Sequence, residues 1–220
     1  MSQIFIPNLL SWSNLVLLVA CYLLALFLWF AKKQQLRRRI QYLLYFWLGY
    51  QLIYALSLTW SQYRTWQQTA AVLTEITLPV SVKLTGIWQW FDGLHHVKGG
   101  YFIFYGFYHY WQSLVIAAIL GILFYILLRE LQKRQNTLFD QGEICLMLFA
   151  WFWLGWPRLV FLLSGGLLLA AILAIIKQLS HATEESRRIS LGTAFIILAP
   201  VLMIIGHWLL GLFGLNGLKI

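Results

Sequence analysis

A chain of 220 residues that is 61% hydrophobic and 17% aromatic, with only 10% charged residues and a mean hydropathy of +0.74, excludes a water-soluble fold. A soluble domain carries about 25% charged residues and has nowhere to hide so much apolar surface. The formal charge of +9 lies in short basic clusters between apolar runs, which is how a membrane protein fixes its orientation, so the expected partner is the lipid bilayer and not nucleic acid.

A membrane-spanning helix needs roughly 20 apolar residues, and fewer when its ends are anchored at the interface. Six segments qualify in chain order: Ser13–Ala31, Gln41–Trp60, Tyr105–Leu128, Ile144–Gly155, Leu159–Ile176 and Leu191–Gly214. The fold class is therefore all-α, a polytopic helical bundle of about six transmembrane segments forming one membrane domain over residues 1–220. The opening "MSQIFIPNLL" has neither a basic stretch nor a small-residue cleavage site, so the first segment reads as a retained helix. The fourth segment is short. Pro157 in "GWPR" interrupts the helical hydrogen-bond ladder, which predicts a half-inserted helix that turns there and continues as the fifth.

Lys and Arg counting orients the bundle. With the N-terminus outside, the inner loops hold Lys32, Lys33 and Arg37 to Arg39, then Arg129, Lys133 and Arg134, then Lys177, Arg187 and Arg188. The outer side holds only Arg64, Lys83, Lys98, Arg158 and Lys219. The positive-inside rule selects both termini out, with the loop 129–143 in the cytoplasm. The outer loop from Ser61 to Phe104 is long and aromatic, and its "VLTEITLPVSVKLTGIWQWFDGL" suits helices lying in the membrane interface. His95 and His96 adjoin Asp92 there, but adjacent histidines do not share a helix face and no further ligand stands at metal spacing, so no metal and no cofactor are expected. His109 and His207 read as local hydrogen-bonding groups. Cys21 and Cys145 fall inside apolar helices, without the spacing of a zinc site or a disulfide framework. The pair Gly165 and Gly166 in "LLSGGLLL" points to close helix packing in lipid.

Two of the seven acidic residues, Asp140 and Glu143, stand at the start of the fourth apolar run. Acidic residues favour a helix N-terminus, where they meet the positive end of the dipole. Asp140 as N-cap and Glu143 three residues on make a capping box. The same residues carry a resemblance. From about Leu114 to Ile204, "LLRELQKRQNTLFDQGEICLML", "FWLGW", "LLSGGLLLAAILAI" and "RRISLGTAFIILAPVLMI" follow one another. This series resembles the type IV prepilin peptidases, membrane aspartic proteases with a G-x-G-D motif at the cytoplasmic start of a helix.

The resemblance implies a bacterial cytoplasmic (inner) membrane protein that handles the precursors of type IV pilin-like or secretion-system pseudopilin helices. It assigns catalytic roles to Glu143, in place of the motif's aspartate, and to Asp140 as a possible helper. Here G-x-G-D reads Asp140-Gln141-Gly142-Glu143, and the lysine that follows in the family is Cys145. The family's first aspartate falls near Gln34, with no acidic residue before Glu75, and Gln41 stands near the place of its proline. The N-terminal zinc module and its methylation activity are not implied. An aspartic protease needs two carboxyl groups sharing one proton. Two readings follow: a divergent leader peptidase using Glu143, or a catalytically inactive relative that binds pilin-like helices as part of a pilus or secretion machine. A solute transporter would need a mid-helix ionisable site, and none is present. The sequence leaves the oligomeric state open.

Overall fold

The computed structural model describes residues 5–30, 34–79, 86–134, 141–179 and 190–213. All regular structure among them is helical: α1 (Phe5–Phe30), α2 (Gln34–Thr69), α3 (Val72–Glu75), a 3-10 helix (Gly86–His95), α4 (Gly100–Gly106), α5 (Gln112–Arg134), α6 (Gln141–Leu154), α7 (Leu159–Leu179) and α8 (Leu191–Leu212). A π-helical turn, Phe107–Trp111, joins α4 to α5. Among the described residues three stretches are long and apolar enough to cross a membrane: Trp12–Phe30, Gly100–Lys133 and Leu191–Leu212. Gln141–Leu154 and Leu159–Leu173 are shorter apolar helices. The segment expected at Gln41–Trp60 lies inside α2, which continues through the polar "SQYRTWQQT" to Thr69. The described residues divide into two compact units, one made of the chain up to Leu48 and from Ala117 onward, the other of Gly49–Ile116.

The first unit is organised around α6. Ten of its fourteen residues are buried, and they point in every direction around the axis. A helix apolar all round belongs inside a bundle, wrapped by other helices. Helix–helix association in lipid relies on close approach and on interhelical hydrogen bonds rather than on the hydrophobic effect, and α6 uses both. Its backbone carbonyl at Phe152 accepts from the Trp47 indole of α2 (3.3 Å). Its Trp151 indole donates to the Ala117 carbonyl of α5 (3.1 Å), and its Trp153 indole to the Leu18 carbonyl of α1 (2.9 Å). Each such bond contributes on the order of 0.6 kcal/mol, up to about 2. More usefully, each is directional, so together they fix the rotation of α6.

Helices α6 and α8 start at the same end. A Cβ at Gly192, in the first turn of α8, would lie 3.2 Å from the Glu143 carbonyl oxygen and 3.3 Å from the Glu143 Cα. Gly192 is what permits this backbone contact. Helix α7 runs the other way: Gly166 faces Phe195 and Gly206 faces the Arg158 side chain. The reversal is made by Gly155-Trp156-Pro157-Arg158, where Gly155 has φ of 68°, a conformation that costs other residues roughly 1–2 kcal/mol. The turn foreseen at "GWPR" is thus present. Helix α1 closes this layer, with the Trp29 indole donating to Thr193 Oγ1 (2.9 Å) and the Tyr22 hydroxyl to the Ile196 carbonyl (2.8 Å).

The second unit holds the end of α2 against α3, the 3-10 helix and α4. Trp66 stacks on Tyr101 (centroids 5.8 Å, 13°) and leans on Tyr105 (4.8 Å), while Tyr63 meets Phe102 edge-on (5.3 Å). Trp111 donates to Thr59 Oγ1 (3.0 Å) and Tyr110 to Gln62 Oε1 (3.1 Å). The loop expected to hold helices lying in the membrane interface is in its described part tied to itself: the Leu78 amide donates to the Leu94 carbonyl, and His95 Nδ1 lies 2.8 Å from the Leu78 carbonyl. His95 is half-buried, whereas His96 and Asp92 are exposed.

Candidate functional site

The residues singled out in the sequence meet on α6. Its first turn begins at Gln141, three residues before the expected start, so Glu143 occupies the third helical position. That is the place an acidic side chain takes to complete a capping box. Asp140 lies outside the described residues. Glu143 is buried (5% exposed) and stands beside the first turn of α8, whose Gly192 touches its backbone. Ser190 caps α8 by accepting the Thr193 amide (3.3 Å). Glu143 therefore sits next to two helix N-termini, each carrying roughly half a positive charge.

At 100° per residue, α6 presents a second face turned nearly opposite to Glu143. Gln141, Ile144, Cys145, Leu148 and Phe152 lie along it and line a groove with α2 and α5. The groove has a volume of about 560 Å³ and stays within the first unit. From α2 it takes Gln41, Leu44, Tyr45 and Leu48; from α5 it takes Gly121, Ile122, Tyr125, Arg129 and Gln132. These sets follow the i, i+3, i+4, i+7 rule, so each helix contributes a single stripe. The polar members gather where α2 and α6 begin and α5 ends: Gln41, Arg129, Gln132 and Gln141. Gln41 Nε2 donates to the Tyr45 hydroxyl there (2.9 Å). At the other end a Cβ on Gly121 would meet the Phe152 ring at 2.8 Å, so glycine lets this ring lie across α5 and close the groove.

The electrostatics are one-sided. Arg129 brings a positive charge, and none of the described residues lining the groove is acidic. Among the described residues of this unit the carboxylates are Glu143, buried with its backbone against α8, and Glu130, which is exposed and paired with Lys133 (2.6 Å). Gln34, at the place of the resembled family's first aspartate, opens α2. Gln41 and Cys145, neutral where that family has proline and lysine, are brought together in the groove, while Glu143 is not among its lining residues. Among the described residues no three His, Cys, Asp or Glu side chains gather as a metal site would require. What this arrangement can do is hold an elongated apolar molecule by its sides and an anionic group by one end.

Sequence reasoning did not foresee the groove or Arg129. The usable signal was the spacing of Gln141, Cys145, Leu148 and Phe152, which marks a face of α6 distinct from that of Glu143. The chain matches no protein-family model, no curated protein and no solved structure.

Proposed function

We propose that the chain is a non-cleaving relative of the prepilin peptidases, which binds pilin-like or pseudopilin precursor helices at the cytoplasmic face of a bacterial inner membrane. The observation that carries this reading is the position of Glu143, buried beside α8 and turned away from the open groove of its own helix. A carboxylate that only strengthens a helix N-terminus needs no partner acid, whereas peptide hydrolysis needs both an acid and a base. In this reading α1, α2, α4 with α5, α6, α7 and α8 are the six membrane segments. Both termini lie outside, and the basic residues Lys32 to Arg39 lie in the cytoplasm.

Two outcomes are expected. Cysteine introduced at position 36 should react with a membrane-impermeant maleimide only after the inner face is opened; labelling from outside would overturn the orientation. In membranes containing a pilin-type precursor, the precursor should stay full-length and co-purify with the protein. Glu143→Gln, which keeps a side chain able to complete the capping box, should behave like the parent and lose at most about 1 kcal/mol of stability. Cleavage by the parent that disappears in Glu143→Gln would instead establish the peptidase, with Asp140 the first candidate for the second carboxyl group. If the precursor is neither cleaved nor co-purified, the binding reading fails.

A further inference from the structure

The groove between α2, α5 and α6 has features that handling of a precursor helix does not explain. It runs lengthwise along α6 from Gln141 to Phe152, eleven residues or about 16 Å at 1.5 Å per residue. That is about half of the roughly 30 Å hydrocarbon thickness of a bilayer, the depth of one leaflet. Its polar end coincides with the helix ends, where headgroups lie. Its remaining walls are Leu, Ile, Tyr and Phe side chains. We propose that the groove is a binding site for an anionic phospholipid, one acyl chain lying along α6 and the headgroup phosphate meeting Arg129. This does not rest on the precursor-binding reading.

Charge and size select this occupant. The polar end offers the Arg129 guanidinium and the amides of Gln41, Gln132 and Gln141, and none of the described residues lining it is acidic. A planar guanidinium matches two phosphate oxygens, and glutamine amides donate to the others. Basic pockets between membrane helices take anionic headgroups for this reason. A zwitterionic lipid would add an ammonium group that finds no acidic partner among the described lining residues. A single acyl chain, one methylene wide, lies along such a stripe of apolar side chains, and its phosphate reaches the guanidinium at the polar end.

Cys145 lines the groove, whereas the other thiol, Cys21, is buried in α1, so peptide mapping of maleimide labelling reads occupancy directly. The protein would be reconstituted in nanodiscs of phosphatidylcholine alone or with one-third phosphatidylglycerol. Phosphatidylglycerol should slow labelling at Cys145 about fivefold or more, the effect of ligand at roughly four times its Kd, and raise the melting temperature. Arg129→Gln should label at the phosphatidylcholine rate in both discs, while Arg129→Lys, which keeps a phosphate-binding charge, should retain protection. Equal protection by the two lipids, or protection that survives Arg129→Gln, would overturn the proposal. So would protection by inorganic phosphate in pure phosphatidylcholine discs, or protection by a pilin-type peptide in place of phosphatidylglycerol. If Arg129→Gln yields no folded protein, the parent's comparison of the two lipids still decides.

Discussion

Phe195→Ala is expected to be the most destabilising single change in the protein, at about 3–5 kcal/mol. Phe195 is fully buried in α8, its ring stacked on Phe124 of α5 (centroids 6.0 Å, 17°) and lying flush against Gly166 of α7. One side chain thus joins three helices. Truncation leaves a cavity between them, and α7 can collapse into it only by abandoning its contacts elsewhere along α8. The measurement is thermal or denaturant unfolding in detergent. A loss below about 1 kcal/mol would show that the three helices are held chiefly by something else.

The second large effect comes from the same contact approached from the other side. A Cβ built on Gly166 would fall 2.6, 2.7 and 3.1 Å from three carbons of the Phe195 ring. Gly166→Leu therefore forces apart two helices that now touch, with an expected loss of about 1–3 kcal/mol. The neighbouring glycine provides a contrast. A Cβ on Gly165 meets only the end of the Leu198 side chain, at 2.8 Å, and that methyl group can rotate away. Gly165→Ala should therefore cost much less. Because Gly166 and Phe195 occupy one space, their effects should not add. The loss in the double variant should fall short of the sum by about 0.5–3 kcal/mol. Strict additivity, or a Gly166→Leu variant as stable as the parent, would mean that this face of α7 looks at lipid.

Much of this architecture is legible in the sequence because lipid imposes a simple rule, an apolar stretch of fixed length, and α1, α5 and α8 obey it. The turn at Gly155 to Arg158 was legible for an equally direct reason, since proline cannot donate to the helical ladder. The end of α2 was not. Hydropathy falls after Trp60, but "SQYRTWQQT" contains no glycine or proline, and the helix persists to Thr69. The edge of an apolar run and the edge of a helix are different boundaries. The π-helical turn in "FYHYW" left no trace in an unbroken run of aromatic residues.

At the candidate site, the position of Glu143 in the first turn of α6 followed from its spacing. Its rotation toward α8 did not, because that depends on Gly192, a residue far along the chain. The groove has the same origin. Its three stripes come from segments separated by up to about a hundred residues, and each alone reads as ordinary helix surface.

The length of α6 has a consequence for how it is held. Fourteen residues rise about 21 Å, some 9 Å short of the hydrocarbon thickness of a bilayer, so the surrounding helices and not its own length must fix its position. The four-residue turn after it leads directly into α7, which runs back alongside α8. The wrapped placement of α6 also depends on α8, because only a glycine at position 192 lets the α8 backbone lie against Glu143.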